Sequence, residues 1–274
     1  MLHGVRAVPF AVTIAVSLVM ATGCAQPLHQ LPDRAERMPR GYLYYLDGAG
    51  GGVADRNWAA GVRDGLLAAG YKAAGEMFSW ELGLGMIADQ NANVEYKRSK
   101  AAALAKRIEQ YKEQYPTAPV SIIGFSAGAA AAVFTLEALP EGCQVENVVL
   151  LGASIGTDYD LTQALRHVRN RVFLYTSTKD MMLGFLVPLA GTADRRKVPA
   201  AGVNGFALPA NASDETRRLY AEKVVTIAWT KELESDGHYG KHFDNVNMTF
   251  IRDHVAPLIM DGGPRASGRP SLPE

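Results

Sequence analysis

The chain has 274 residues, 48% hydrophobic and 20% charged, and its 28 basic side chains balance 28 acidic ones. That length suits one large domain with a buried core. The even charge argues against the basic face that nucleic-acid binding requires.

The first residues read as a targeting segment. Arg6 supplies a positive start, and Ala7 to Ala21 is almost wholly apolar. At about 15 residues this run is short for a membrane span and right for the apolar region of a signal peptide. It ends in Ala21-Thr22-Gly23-Cys24, which resembles the lipobox of bacterial lipoproteins. The resemblance implies cleavage after residue 23, acylation of Cys24, and an exported, membrane-anchored protein. An ordinary secreted or periplasmic protein is the alternative. Cys143 then has no cysteine to pair with, and a disulfide framework is excluded.

Residues 24–40 carry Pro27, Pro32 and Pro39 among polar side chains and are expected to form a flexible tether. Residues 41–260 hold the domain. Residues 261–274, rich in proline and glycine, are expected to be a disordered tail.

Within the domain, apolar runs alternate with helical spacing. Gly41 to Leu46 is a predicted strand, and Trp58 to Ala69 a helix stopped by Gly70. Tyr71 to Trp80 can hold a second strand. Glu95 to Tyr115 is a helix with Ala101, Leu104, Ala105, Ile108, Tyr111 and Tyr115 on its apolar face. A strand over Val120 to Phe125 leads into an alanine-rich helix, Ala127 to Leu139. Strands follow over Val145 to Leu151, Arg171 to Thr176 and Val224 to Trp229. Helices are expected at Leu161 to Val168 and Phe250 to Met260. Strands spaced by helices imply a mostly parallel sheet of about six strands covered on both faces, an α/β fold.

The chemistry centres on Gly124-Phe125-Ser126-Ala127-Gly128. This G-x-S-x-G follows a strand and opens a helix, the context of a nucleophile elbow. The sharp turn exposes Ser126 and sets the Ala127 N–H beside a developing oxyanion. A serine needs a base and a carboxylate that orients it. Asp180 follows the strand two after the elbow, and it is preferred over Asp158, Asp160 and Asp194. Asp160 has a separate use as the cap of the helix at Leu161. The base lies in Asp236-Gly237-His238-Tyr239-Gly240-Lys241-His242-Phe243. His242 is favoured for its nearness to the last helix, with His238 the alternative. The one not used is expected to touch substrate or to lie at the surface. No H-E-x-x-H pattern accompanies these histidines, so no metal is expected.

After the first strand, Leu46-Asp47-Gly48-Ala49-Gly50-Gly51-Gly52 offers backbone N–H groups, with Ala49 or Gly50 the candidate second oxyanion donor. A dinucleotide loop is disfavoured because Val53 stands where the motif needs glycine or alanine. Residues 181–215 are long for a connection. Their apolar opening is either an acyl-binding wall or lid, or a core helix with a surface loop.

With these motifs in place, residues 41–259 resemble the bacterial α/β-hydrolase superfamily. The resemblance implies an α/β-hydrolase fold lacking the usual first two strands. It also implies serine esterase or lipase-like chemistry through Ser126, Asp180 and a histidine, with no cofactor. The expected partner is a small-molecule or lipid ester. A non-catalytic lipoprotein using the fold as a binding module is the other reading. Nothing in the sequence fixes the substrate, the oligomeric state, or hydrolysis against acyl transfer.

Overall fold

A computed structural model describes residues 29–51 and 61–260. The signal peptide, Cys24, the start of the tether, the first turn expected at Trp58 and the 261–274 tail lie outside the described residues.

Six strands form one sheet: β1 (Tyr42–Leu46), β2 (Ala74–Met77), β3 (Val120–Phe125), β4 (Val145–Leu151), β5 (Val168–Thr176) and β6 (Val224–Ala228). Their order is β2-β1-β3-β4-β5-β6, and every pairing is parallel. This is the α/β sheet that the α/β-hydrolase resemblance implies, and it is wholly rather than mostly parallel.

Because side chains alternate across a strand, β3 feeds two cores. Val120 and Ile122 enter one layer, and Ile123 and Phe125 enter the other. Burial on both faces explains its unbroken apolar run. On the first face lie the helices Val94–Gln114, Ala127–Glu137, Thr162–Arg166 and Asp214–Lys223, contributing Leu104, Ile108, Phe134, Leu165 and Leu219. On the second face lie Val62–Ala68 and the helical stretch 248–260, with Leu66, Phe250, Ile251 and Val255.

Residues 29–40 correct the expectation of a flexible tether. Gln30 forms an antiparallel bridge with Glu76. The Leu31 N–H donates to Gly75 O at 2.8 Å, and the Met77 N–H to His29 O at 2.7 Å. Leu31 is fully buried, and Arg37 Nη1 donates to Tyr71 O. The physical reason is the edge of β2. Its unpaired backbone groups need cover, and a lone leucine anchors the segment that supplies it.

Two α-helices of six or more residues went unanticipated. Asp214–Lys223 starts where the Ser213 side chain accepts the Thr216 N–H, a normal N-cap. Met86–Asn91 sits over the carboxyl ends of the strands. Among the described residues no helix is long and apolar enough to cross a membrane.

Candidate active site

Ser126 sits at the end of β3 with φ 53° and ψ −119°, a conformation that side chains rarely adopt. The turn is held from both sides. The Ser126 N–H donates to Leu151 O at 2.9 Å, and Ser126 O accepts the N–H of Ser154 at 3.0 Å and of Ala129 at 3.1 Å. The flanking glycines follow from contact distances. A Cβ on Gly124 would stand 2.8 Å from Ala129 Cα, and one on Gly128 would stand 2.3 Å from Leu46 O. Strand and helix approach too closely for any side chain there.

Asp180 and His242 converge on this serine from the ends of β5 and β6. His242 Nδ1 lies 2.7 Å from Asp180 Oδ2, and His242 Nε2 lies 2.9 Å from Ser126 Oγ. A carboxylate only accepts, so Nδ1 carries the proton and Nε2 accepts from the serine hydroxyl. Asp180 is buried, and its other oxygen accepts the Leu183 N–H at 3.0 Å. Phe125 packs beside the imidazole with ring centroids 4.9 Å apart, and Phe243 meets it edge-on. The line from carboxylate to hydroxyl is therefore fixed before any substrate arrives.

His238 is in neither place expected for the histidine not used. It is buried and does not reach Ser126. The Gly240 N–H donates to its Nδ1 at 3.1 Å, so Nε2 carries the proton and donates to Asn245 Oδ1 at 3.3 Å. Asn245 Nδ2 in turn donates to His242 O at 3.0 Å. Burial is the main cause that lowers the His238 pKa, partly offset by Asn245 and by Asp244. A neutral His238 thus supports the backbone of His242.

The glycine loop after β1 lies over the elbow. The Gly50 N–H donates to Asp89 Oδ2 at 2.8 Å, and the Gly48 N–H to Asp47 Oδ1 at 2.7 Å. Gly50, one of the two candidates for second oxyanion donor, is therefore engaged elsewhere. Ala49 borders the cavity at Ser126, and no acceptor among the described residues takes its N–H. Ala127, as first residue of its helix, has an N–H without an intrahelical partner.

Ser126, His242 and Ala49 open into a cavity of about 420 Å³. The apolar start of the 181–215 connection forms one wall through Met182, Leu183, Val187 and Ala190, and Met86 and Ile87 face it. The rival acids lie elsewhere. Asp158 pairs with Arg196 at 2.7 Å, Asp160 accepts the Thr162 N–H at 2.8 Å, and Asp194 accepts the Gly156 N–H at 3.0 Å.

Three contributors escaped the sequence reading. Asp89 accepts from Leu82 N–H at 2.7 Å as well as from Gly50, and so ties the Met86–Asn91 helix to the glycine loop. Gln90 Nε2 donates to Ser154 Oγ at 3.3 Å and to Gly191 O at 3.0 Å. Lys97 is fully buried, donating to Gln90 O at 2.9 Å and Ala193 O at 2.7 Å. Only Lys97 left a signal: it stands four residues before Ala101 on the apolar stripe of its helix.

A family model described as "Protein of unknown function (DUF726)" matches residues 71–200. That range includes Ser126 and Asp180 but not His242. No curated protein matches the chain. Among solved structures it is similar to a poly(3-hydroxybutyrate) depolymerase from Bordetella parapertussis, with 14% identity and a TM-score of 0.46 over 83% of this chain and 81% of that one. A dienelactone hydrolase-like phosphotriesterase from metagenomic libraries shares 15% identity, with a TM-score of 0.45 over 81% and 87%. An acetylxylan esterase shares 13%, with a TM-score of 0.41 over 71% and 84%.

Proposed function

We infer that this protein is a serine hydrolase that cleaves a carboxylic ester through an acyl-enzyme. The observation that carries this reading is the relay Asp180–His242–Ser126, with contacts of 2.7 and 2.9 Å, ending on a strained serine that faces a cavity.

Ser126 Oγ attacks the acyl carbon while His242 Nε2 takes its proton, and the buried Asp180 carboxylate stabilises the resulting imidazolium. The N–H groups of Ala127 and Ala49 receive the tetrahedral oxyanion. The imidazolium then protonates the leaving alcohol. Water, deprotonated by the same nitrogen, releases the acid and restores Ser126. No step needs a cofactor.

The amino-terminal segment with Cys24 extends the proposal to an exported enzyme held at a membrane by lipid, a part that rests on sequence alone. Steady-state hydrolysis of a chromogenic ester tests the chemistry. Ser126→Ala should remove turnover, and Asp180→Asn should lower kcat by roughly four orders of magnitude with KM little changed. A folded wild-type protein that turns over no ester would favour a binding module instead.

A further inference from the structure

Resting on the reading of Ser126 as the acylated nucleophile, we propose that the buried part of the substrate is an unsubstituted hydrocarbon acyl chain of medium length. Among the described residues that line the cavity, no side chain carries a charge apart from the histidine already engaged with Asp180. Besides Ser126 and His242 it holds three polar side chains, Gln90, Asn91 and Ser154, and their hydrogen bonds decide what it accepts.

Gln90 Nε2 has two hydrogens and two acceptors, Ser154 Oγ and Gly191 O. Asn91 donates through Nδ2 to Ile87 O at 2.9 Å, and its Oδ1 accepts from Arg195 Nη1. Both hydrogens of Gln90 Nε2 and one of the two on Asn91 Nδ2 are therefore turned into the protein. A hydroxyl, amide or charge on the buried part of a substrate would lose water and find little in exchange, which selects strongly against it. Peptide and sugar acyl groups fit such a surface poorly. A methylene chain meets Met86, Phe125, Met182, Leu183, Val187 and Phe243 and loses nothing by dehydration.

Size sets the length. A methylene occupies about the space of a water in the liquid, roughly 30 Å³, so a cavity of about 420 Å³ holds on the order of a dozen such groups. The reacting ester group takes part of that space, so an acyl chain of about eight to ten carbons fills the rest.

The test is hydrolysis of monomeric p-nitrophenyl esters from acetate to palmitate by the full chain, with fluorophosphonate labelling in parallel to count active sites. The expected kcat/KM rises roughly tenfold for each pair of methylenes buried, peaks at octanoate to decanoate, and falls at palmitate. Val187→Trp should move the peak to shorter chains and Val187→Ala to longer ones, with labelling showing that each variant is folded. A labelled wild type whose rates are flat or decline from acetate upward, or that prefers hydroxylated or aminoacyl esters, overturns the chain assignment and leaves the hydrolase reading standing. Absence of labelling in folded wild type overturns both.

Discussion

His238 and His242 share one glycine-flanked loop, are both buried, and commit their ring nitrogens in opposite ways. His242 offers a bare Nε2 to the Ser126 hydroxyl because Nδ1–H is held by Asp180. His238 has a bare Nδ1, filled by the Gly240 N–H. Sequence placed both at the right address but could not rank them firmly, because tautomer and direction depend on Asn245 and Gly240 in the folded loop. The assignment yields a pH prediction. Burial lowers the His238 pKa from its ordinary 6.5, so the unfolded chain takes up this proton before the folded one does. Its contribution to stability is intact above about pH 6.5 and is lost as pH falls below that value towards the folded pKa. His238→Gln should therefore lose less Tm than wild type between pH 7.5 and 5.5. It should also keep fluorophosphonate labelling within a few-fold. An equal drop in Tm for both proteins would contradict a neutral, buried His238.

At the scale of elements, the short helix Met86–Asn91 links the two sides of the site. Asp89 reaches the glycine loop, while Gln90 and Lys97 reach the segment after the Asp180 wall. Burial lowers the Lys97 pKa to about 8, and Arg195 adds to the effect. Asp89→Asn replaces one accepting oxygen by an NH₂ group, so one of the Gly50 and Leu82 N–H groups loses its partner. The local cost is about 1–3 kcal/mol, and it falls on the loop that carries Ala49. Ester kinetics should show kcat lowered about tenfold with KM changed less; a lower Tm with unchanged kcat would mean that Asp89 serves stability alone. Apart from Lys97, which interrupts an apolar stripe, none of this was legible beforehand. The helix has six residues without a strong apolar stripe, and Asp89 looks like any surface acid. The longer elements were legible because Val120–Phe125 and Val94–Gln114 carry unambiguous period and length.

For the whole molecule, legibility followed the number of residues that share a signal. Six strands and most of the longer helices emerged from runs of apolar residues, and the elbow emerged from two glycines whose Cβ atoms would strike backbone. The edge cover of β2 has Leu31 as its one buried apolar side chain, and the cavity depends on walls from segments about a hundred residues apart in sequence, which no local pattern records. What unites these scales is one claim: the fold delivers Ser126, His242 and Asp180 to a single point as working groups. The most direct test is fluorophosphonate labelling of the full chain followed by peptide mass mapping. The adduct should fall on the peptide containing Ser126, vanish in Ser126→Ala, and form far more slowly in His242→Ala than in His238→Ala. A well-folded protein that takes no adduct, or takes it on another residue, would contradict the account.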